Sequence, residues 1–217
     1  MEIKETSLKN IEDLKTKETS FIIGISINNS YFKSENIRKL ISWASNFSKS
    51  IYIMIPDEPS VYTMIACGRS QEESIKISRL KSNNIENKCL RIISDLKVEN
   101  ITIIRWKDVK DNIFYLNAKK QIKNLYYLDV DFKNAIIQTT KNVILANVDS
   151  VISESSIDLG VNFLFEELAF ILYSTLILKE EKTIYFYHKT MQLMKDIIEN
   201  KYNNLLFNSN IDFITAE

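Results

Sequence analysis

Histidine, glycine, proline and cysteine are all scarce in this chain of 217 residues, and each shortage excludes something. The single histidine, His188, rules out sites that need several imidazoles, and with them the usual zinc ligand sets. The two cysteines, Cys67 and Cys89, have no CxxC spacing and lie in stretches of helical pattern, so no disulfide scaffold is expected. With two prolines and three glycines there is no Pro-, Gly- or Ser-rich linker. One domain over 1–217 is therefore expected, with a core that 45% apolar residues can fill. Neither sign of charge is in excess, 28 basic residues facing 28 acidic ones. That argues against a generally basic nucleic-acid binder and leaves a local basic face open. Residues 1–18 are too charged to form an apolar signal core and read as a mobile or helical N-terminal extension. A soluble protein in the reducing cytoplasm is the expected setting.

What is present is an alternation of short apolar runs and helical patterns. Phe21-Ile22-Ile23 leads into Gly24-Ile25-Ser26 and reads as a buried strand. Ser34 can cap a helix whose apolar face is Ile37, Leu40, Ile41 and Ala44. Ile51 to Ile55 makes the next strand, stopped by Pro56, which completes a βαβ unit and implies parallel pairing. A long polar helix follows over 70–96, then a third buried strand at Ile101 to Ile104. Helical patterns return over 110–123, 132–140 and 191–198, with a strand at Thr183 to Tyr187. The stretch 159–178 is apolar enough to raise the question of a membrane span. Glu166 and Glu167 near its middle make insertion costly, so a buried core helix is expected. The fold class that follows is α/β, a single Rossmann-like domain with a mostly parallel central sheet flanked by helices.

Several residues could carry chemistry. Ser26 follows the first strand, and ligands of open α/β sheets bind beyond the carboxyl ends of strands. By position alone it is an ordinary loop serine, with Gly24 leaving room for a substrate to approach the backbone. The nucleophile elbow G-x-S-x-G fails, because Asn28 stands at its second glycine. Tyr187-His188 ends the late strand and can lie over the same crevice. Successive helical residues diverge by roughly 100 degrees, so one of Glu166 and Glu167 should meet solvent and the other a pocket or the core. A pocket-facing Glu167 would either pair with a Lys or Arg or anchor a substrate ammonium. Arg79, Asn83, Asn87 and Arg91 recur at four-residue steps with Lys76 and Lys88 nearby. With Glu72, Glu73 and Glu86 in the same segment they form either a solvated amphoteric face or a phosphate-binding one.

Together these positions resemble the cyclodipeptide synthase family. The first family motif is similar to Gly24-Ile25-Ser26-Ile27-Asn28-Asn29-Ser30-Tyr31-Phe32, and the second to Phe163, Glu167 and the Tyr187-His188 pair. Asn29 with Tyr187-His188 resembles the subfamily defined by asparagine, tyrosine and histidine. Phe163 departs from the family's tyrosine, so a hydroxyl contact to the substrate amine is lacking there or comes from elsewhere. The resemblance implies a fold like the catalytic domains of class I tyrosyl- and tryptophanyl-tRNA synthetases. A working synthetase is excluded, since one histidine cannot build the paired-histidine ATP motif.

The resemblance further implies that Ser26 takes an aminoacyl group from a charged tRNA, with no ATP, metal or other cofactor. Glu167 would hold the substrate ammonium, Tyr187 relay protons, and Asn29 and His188 shape the catalytic loop. The aminoacyl pocket is expected among Gly24, Ile53, Ile55, Phe163, Phe170 and Tyr185, a lining suited to hydrophobic residues such as leucine. Lys76, Arg79, Lys88 and Arg91 are expected to hold tRNA. The partners implied are two aminoacyl-tRNAs, no membrane, and a monomer or weak dimer. A serine esterase or acyltransferase using Ser26 and His188, or a noncatalytic tRNA-binding module, are the alternatives.

Overall fold

The structure is a computed structural model, and it describes residues 1–148, 152–189, 191–202 and 210–216. Six strands form one sheet in the order β1-β6-β5-β2-β3-β4: β1 (Ile3–Thr6), β2 (Ser20–Gly24), β3 (Ile51–Ile55), β4 (Ile101–Arg105), β5 (Thr183–Tyr187) and β6 (Ile211–Ala216). Only β1 runs antiparallel to its neighbour. Among the described residues eight α-helices surround the sheet: α1 (Ser34–Ser45), α2 (Asp57–Ala66), α3 (Gln71–Leu96), α4 (Ile113–Leu128), α5 (Val130–Leu145), α6 (Glu154–Leu172), α7 (Ser174–Leu178) and α8 (Gln192–Ile198). The expected single α/β domain with a mostly parallel sheet is what the chain forms.

Two apolar cores lie on opposite faces of the sheet. Phe21, Ile23, Ile51, Ile53, Ile55, Ile184 and Phe186 point toward α1 and α3. Ile22, Met54 and Tyr185 point toward the helices α4, α5, α6 and α8. The split follows from the two-residue period of a strand. Helix α6 is buried on almost every side from Leu164 onward, as an apolar helix wrapped by α2, α4 and α5 must be.

Several expectations need correction. The first residues are not simply a mobile or helical extension: Ile3–Thr6 pairs with β6, and Ile11–Thr16 is a short 3-10 helix. Ser34 opens α1 rather than capping it, and Lys33 is the cap residue. The strand at Ile101 is an edge strand, with only Ile104 and Arg105 buried. The apolar stretch 159–178 is two helices, broken at Tyr173. No helix among the described residues is long and apolar enough to cross a membrane. Helix α2 was not apparent in the sequence, and it ends at Cys67 with Gly68 at φ 91°, a conformation that favours glycine.

The topology places the site. From β2 the chain moves outward through β3 to β4, then returns to lay β5 on the other side of β2 and β6 beyond it. The direction of winding therefore reverses between β2 and β5. At such a reversal the connections leave a crevice beyond the carboxyl ends of the two strands. Ser26 follows β2 there, and Tyr187-His188 closes β5.

Candidate active site

The loop after β2 is held by its own polar groups. The Asn29 N–H donates to the Ser26 carbonyl at 3.3 Å, and the Phe32 N–H donates to the Asn29 carbonyl at 3.2 Å. The Tyr31 N–H donates to Asn29 Oδ1 at 2.9 Å, which fixes the orientation of that amide. Asn29 Nδ2 must then be the donor toward His188 Nε2, 3.3 Å away. Nε2 is thus an acceptor, and a neutral ring carries its proton on Nδ1. Burial, with help from Lys189, depresses the His188 pKa to about 4, so the ring is neutral at pH 7. The Tyr31 ring stacks on it at 4.0 Å and 12°, while Phe32 and Tyr187 meet it at 5.2 and 4.4 Å.

This arrangement makes His188 part of the loop's frame. Nδ1 has no hydrogen-bond partner among the described residues, so no carboxylate orients the ring. A Ser26-His188-acid triad is not assembled, which removes the esterase alternative. Ser26 itself is half-buried, and its hydroxyl makes no hydrogen bond among the described residues. From the other side, Lys81 of α3 donates to Asn28 Oδ1 at 2.8 Å and ties the long helix to this loop.

Across the crevice stand three groups from β5 and α6. Tyr185 and Tyr187 project from the same side of β5, their rings 6.0 Å apart and nearly parallel at 15°. Burial raises both phenols well above the ordinary value, and the nearby Glu167 raises them further. For Tyr187 a hydrogen bond with Asn29 works the other way. Glu167 is buried with no hydrogen bond or ion pair among the described residues, and burial lifts its pKa to about 7.

Glu166 was expected in solvent if Glu167 was inside, yet both are buried. Because α6 has helices on every side, no direction from it reaches water freely. Glu166 instead meets Lys119 Nζ at 2.5 Å, Trp106 Nε1 at 3.4 Å and the Tyr115 hydroxyl. Burial pushes its pKa up, while the Trp106 N–H favours the charged form. The Lys119 ammonium also favours it.

The expected pocket lining divides between the two cores. Ile53 and Ile55 face α1 and α3, away from Tyr185, and cannot share a cavity with it. Phe170 is fully buried, 6.1 Å from the Trp106 ring, and serves as core. Phe163 is half-buried one helical turn before Glu167. The space above Gly24 is not open: a Cβ built there would lie 2.9 Å from Tyr185 Cζ and nearer still to its hydroxyl. Gly24 makes room for Tyr185. Met54, paired in register with Gly24 and on the same face, is a neighbour known only from the register between β2 and β3.

On α3, Lys76, Arg79 and Arg91 are exposed and Lys88 is half-buried. None of the four has an ion pair among the described residues. Asn83, expected on the same polar face, accepts instead from Arg105 at 3.2 Å, within a cluster that includes Asp57 and Glu86. No group of three His, Cys, Asp or Glu residues suited to a metal ion occurs among the described residues.

The chain has relatives along nearly its whole length. The family model described as cyclodipeptide synthase matches residues 7–208. A cyclo(L-leucyl-L-leucyl) synthase of Staphylococcus haemolyticus is 26% identical, over 90% of this chain and 86% of that protein. One from Bacillus subtilis is 21% identical over 93% and 84%. The solved cyclodipeptide synthase of Bacillus thermoamylovorans superimposes with a TM-score of 0.86 at 20% identity, covering 95% of this chain and 91% of that one. A Mycobacterium tuberculosis protein, whose structure relates cyclodipeptide synthetases to type I tRNA synthetases, gives 0.79 at 15% identity, over 93% and 86%. The match across nearly the whole chain shows that this enzyme belongs to the cyclodipeptide synthase family.

Proposed function

We propose that this enzyme joins the aminoacyl groups of two charged tRNAs into a cyclic dipeptide through covalent intermediates on Ser26, without ATP. The observation that carries the reading is a Ser26 hydroxyl without a hydrogen bond just beyond β2, together with a buried Glu167 carboxyl, unbonded among the described residues, that acts on Tyr185 and Tyr187 of the adjacent β5. An aminoacyl ester presents what such a site lacks: an electrophilic carbonyl for the hydroxyl and an ammonium for the carboxylate.

Ser26 Oγ attacks the ester carbonyl of the first aminoacyl-tRNA, and its proton leaves with the terminal ribose hydroxyl. The bound amine then attacks the second ester, releasing the second tRNA and leaving a dipeptidyl ester on Ser26. The new terminal amine attacks that seryl ester, closes the diketopiperazine and returns the proton to Ser26. Each amine must shed a proton as it attacks, and the departing oxygen takes it up while the Glu167 carboxylate keeps the N–H it accepts. Tyr187, with Asn29 on its hydroxyl, supports a relay of protons to departing oxygens. Asn29 and His188 keep the loop in place.

Lys76, Arg79 and Arg91, with Lys88 beside them, suit the phosphates of a tRNA whose acceptor end reaches the crevice. The Lys81–Asn28 contact links that helix to the Ser26 loop. Leucine is the first amino acid to test, because relatives over most of the chain are cyclo(L-leucyl-L-leucyl) synthases. A monomer in the cytoplasm, where charged tRNAs occur, is the setting proposed.

Incubation with leucyl- and phenylalanyl-tRNA, followed by mass spectrometry, tests the reading. A cyclic dipeptide and a mass adduct on Ser26 are expected. Folded protein that yields no cyclic dipeptide with any charged tRNA would overturn it. Binding of tRNA that survives Ser26→Ala, with no chemistry in the parent, would favour the noncatalytic alternative.

A further inference from the structure

Glu167 is not the only polar group left unsatisfied on this side of the crevice. The Tyr185 hydroxyl is shut away from solvent and has no hydrogen-bond partner among the described residues. Burying a phenolic hydroxyl in that condition costs free energy, and proteins ordinarily avoid it. The ring cannot turn the group elsewhere easily, because it is packed along Tyr187 and within the core of that face. The chain also leaves room for it: Gly24 lies under the hydroxyl, where any side chain would collide.

Three facts place this hydroxyl at the reacting end of the site. Gly24 ends β2 two residues before Ser26, which opens the loop beyond the strand. Tyr185 and Tyr187 flank the crevice from one strand, and Glu167 acts electrostatically on both. Phe163, one turn before Glu167 on α6, brings a ring with no polar atom.

We propose that the Tyr185 hydroxyl is a second anchor for the substrate α-amino group, sharing it with Glu167. An ammonium has three donors, and the two oxygens can each accept one. When the third proton leaves, the nitrogen lone pair points away from both anchors, toward the carbonyl it must attack. One acceptor would leave the nitrogen free to swing, whereas two fix its direction. The phenol does this work as a neutral group, since its surroundings hold its pKa far above neutrality. The inference rests on the proposed use of aminoacyl esters.

Tyr185→Phe removes the hydroxyl and keeps the ring. Its adduct formation on Ser26 is compared with the parent's, using leucyl-tRNA and tRNA charged with 4-methylpentanoate, which is leucine without its amine. The variant is expected to react about tenfold or more slowly with leucyl-tRNA, and at an unchanged rate with the amine-free ester. It should also melt no lower than the parent. Equal losses with both esters, no loss with either, or a lower melting temperature would each overturn the proposal. A parent protein that forms no adduct with either ester would instead overturn the use of aminoacyl esters, and this inference with it.

Discussion

Glu166 and Glu167 are neighbours in the chain, carry the same group, and are 6% and 8% exposed. About 100 degrees of helical rotation sends them to different company. Glu166 points to α4 and meets Lys119, Tyr115 and Trp106, a set able to hold a carboxylate for the life of the fold. Glu167 acts electrostatically on Tyr185 and Tyr187 and bonds no donor among the described residues. Equal burial therefore has two meanings, one a satisfied strut between helices and the other a carboxyl that nothing bonds among the described residues. What separates them is the list of partners, and the partners belong to distant parts of the chain.

The contrast can be broken most forcefully on the strut. Glu166→Ala strands Lys119 and the buried Tyr115 hydroxyl, which loses its acceptor, and unfolding should become easier by about 3 kcal/mol. That is the low end for a broken buried pair, because the Lys119 side chain keeps 26% of its surface exposed. Denaturant titration measures it, and the rate of Ser26 acylation in the remaining folded protein should stay near the parent's.

A pH series sharpens the other side. Glu167 has a folded pKa of about 7 against an ordinary 4.5, so between those values the folded chain keeps a proton that the unfolded chain releases. Its contribution is full below pH 4.5 and is lost as pH rises through 7. The stability of the parent relative to Glu167→Gln should fall by about 3 kcal/mol over that window. His188 slopes the opposite way, since its folded pKa of about 4 lies below 6.5 and its contribution is lost on acidification. The parent's own profile is therefore flattened, and the difference between parent and variant is the measurement that reveals Glu167. Glu166→Gln should give a shallower difference, because Lys119 favours the charged form. At neutral pH, Glu167→Gln should slow Ser26 acylation by leucyl-tRNA about 30-fold, or roughly 2 kcal/mol, without loss of melting temperature.

How much of this the sequence disclosed differs by element. The βαβ order was legible because its strands are short apolar runs that end at Gly24 and Pro56. Strand β1 was not, since Ile3–Thr6 is an edge segment with only partial burial. Helix α2 begins Asp57-Glu58-Pro59, which reads as a turn, although proline is tolerated in a first helical turn. Ser26, Glu167 and Tyr187-His188 stood out by motif. The division of Ile53 and Ile55 from Tyr185 was available from strand alternation alone. The burial of Glu166 was not, because Tyr115 and Lys119 reach it only through the packing of α4 against α6, and Trp106 from the turn after β4. Tyr185 could be named, but its role depends on Gly24 lying below its hydroxyl, a contact between strands that are adjacent only in the folded sheet.

The smallest expected effects are the most direct comparison, because one atom is removed from each side. Tyr115 receives the Trp106 N–H at 3.0 Å and donates to Glu166, so its hydroxyl is satisfied twice. Tyr115→Phe should cost about 1 kcal/mol, the net worth of an ordinary hydrogen bond, since Lys119 still holds the carboxylate. Tyr185→Phe deletes a hydroxyl that bonds nothing among the described residues and should gain stability of similar size. Both rings are buried and both changes leave their volume nearly intact, so packing contributes little to either difference. Paired melts of the two variants thus read the sign of one buried hydroxyl in two settings. Opposite signs are expected. A loss of stability in both would mean that the Tyr185 hydroxyl, like that of Tyr115, is part of the frame, and the distinction between the satisfied and the unsatisfied hydroxyl would fail.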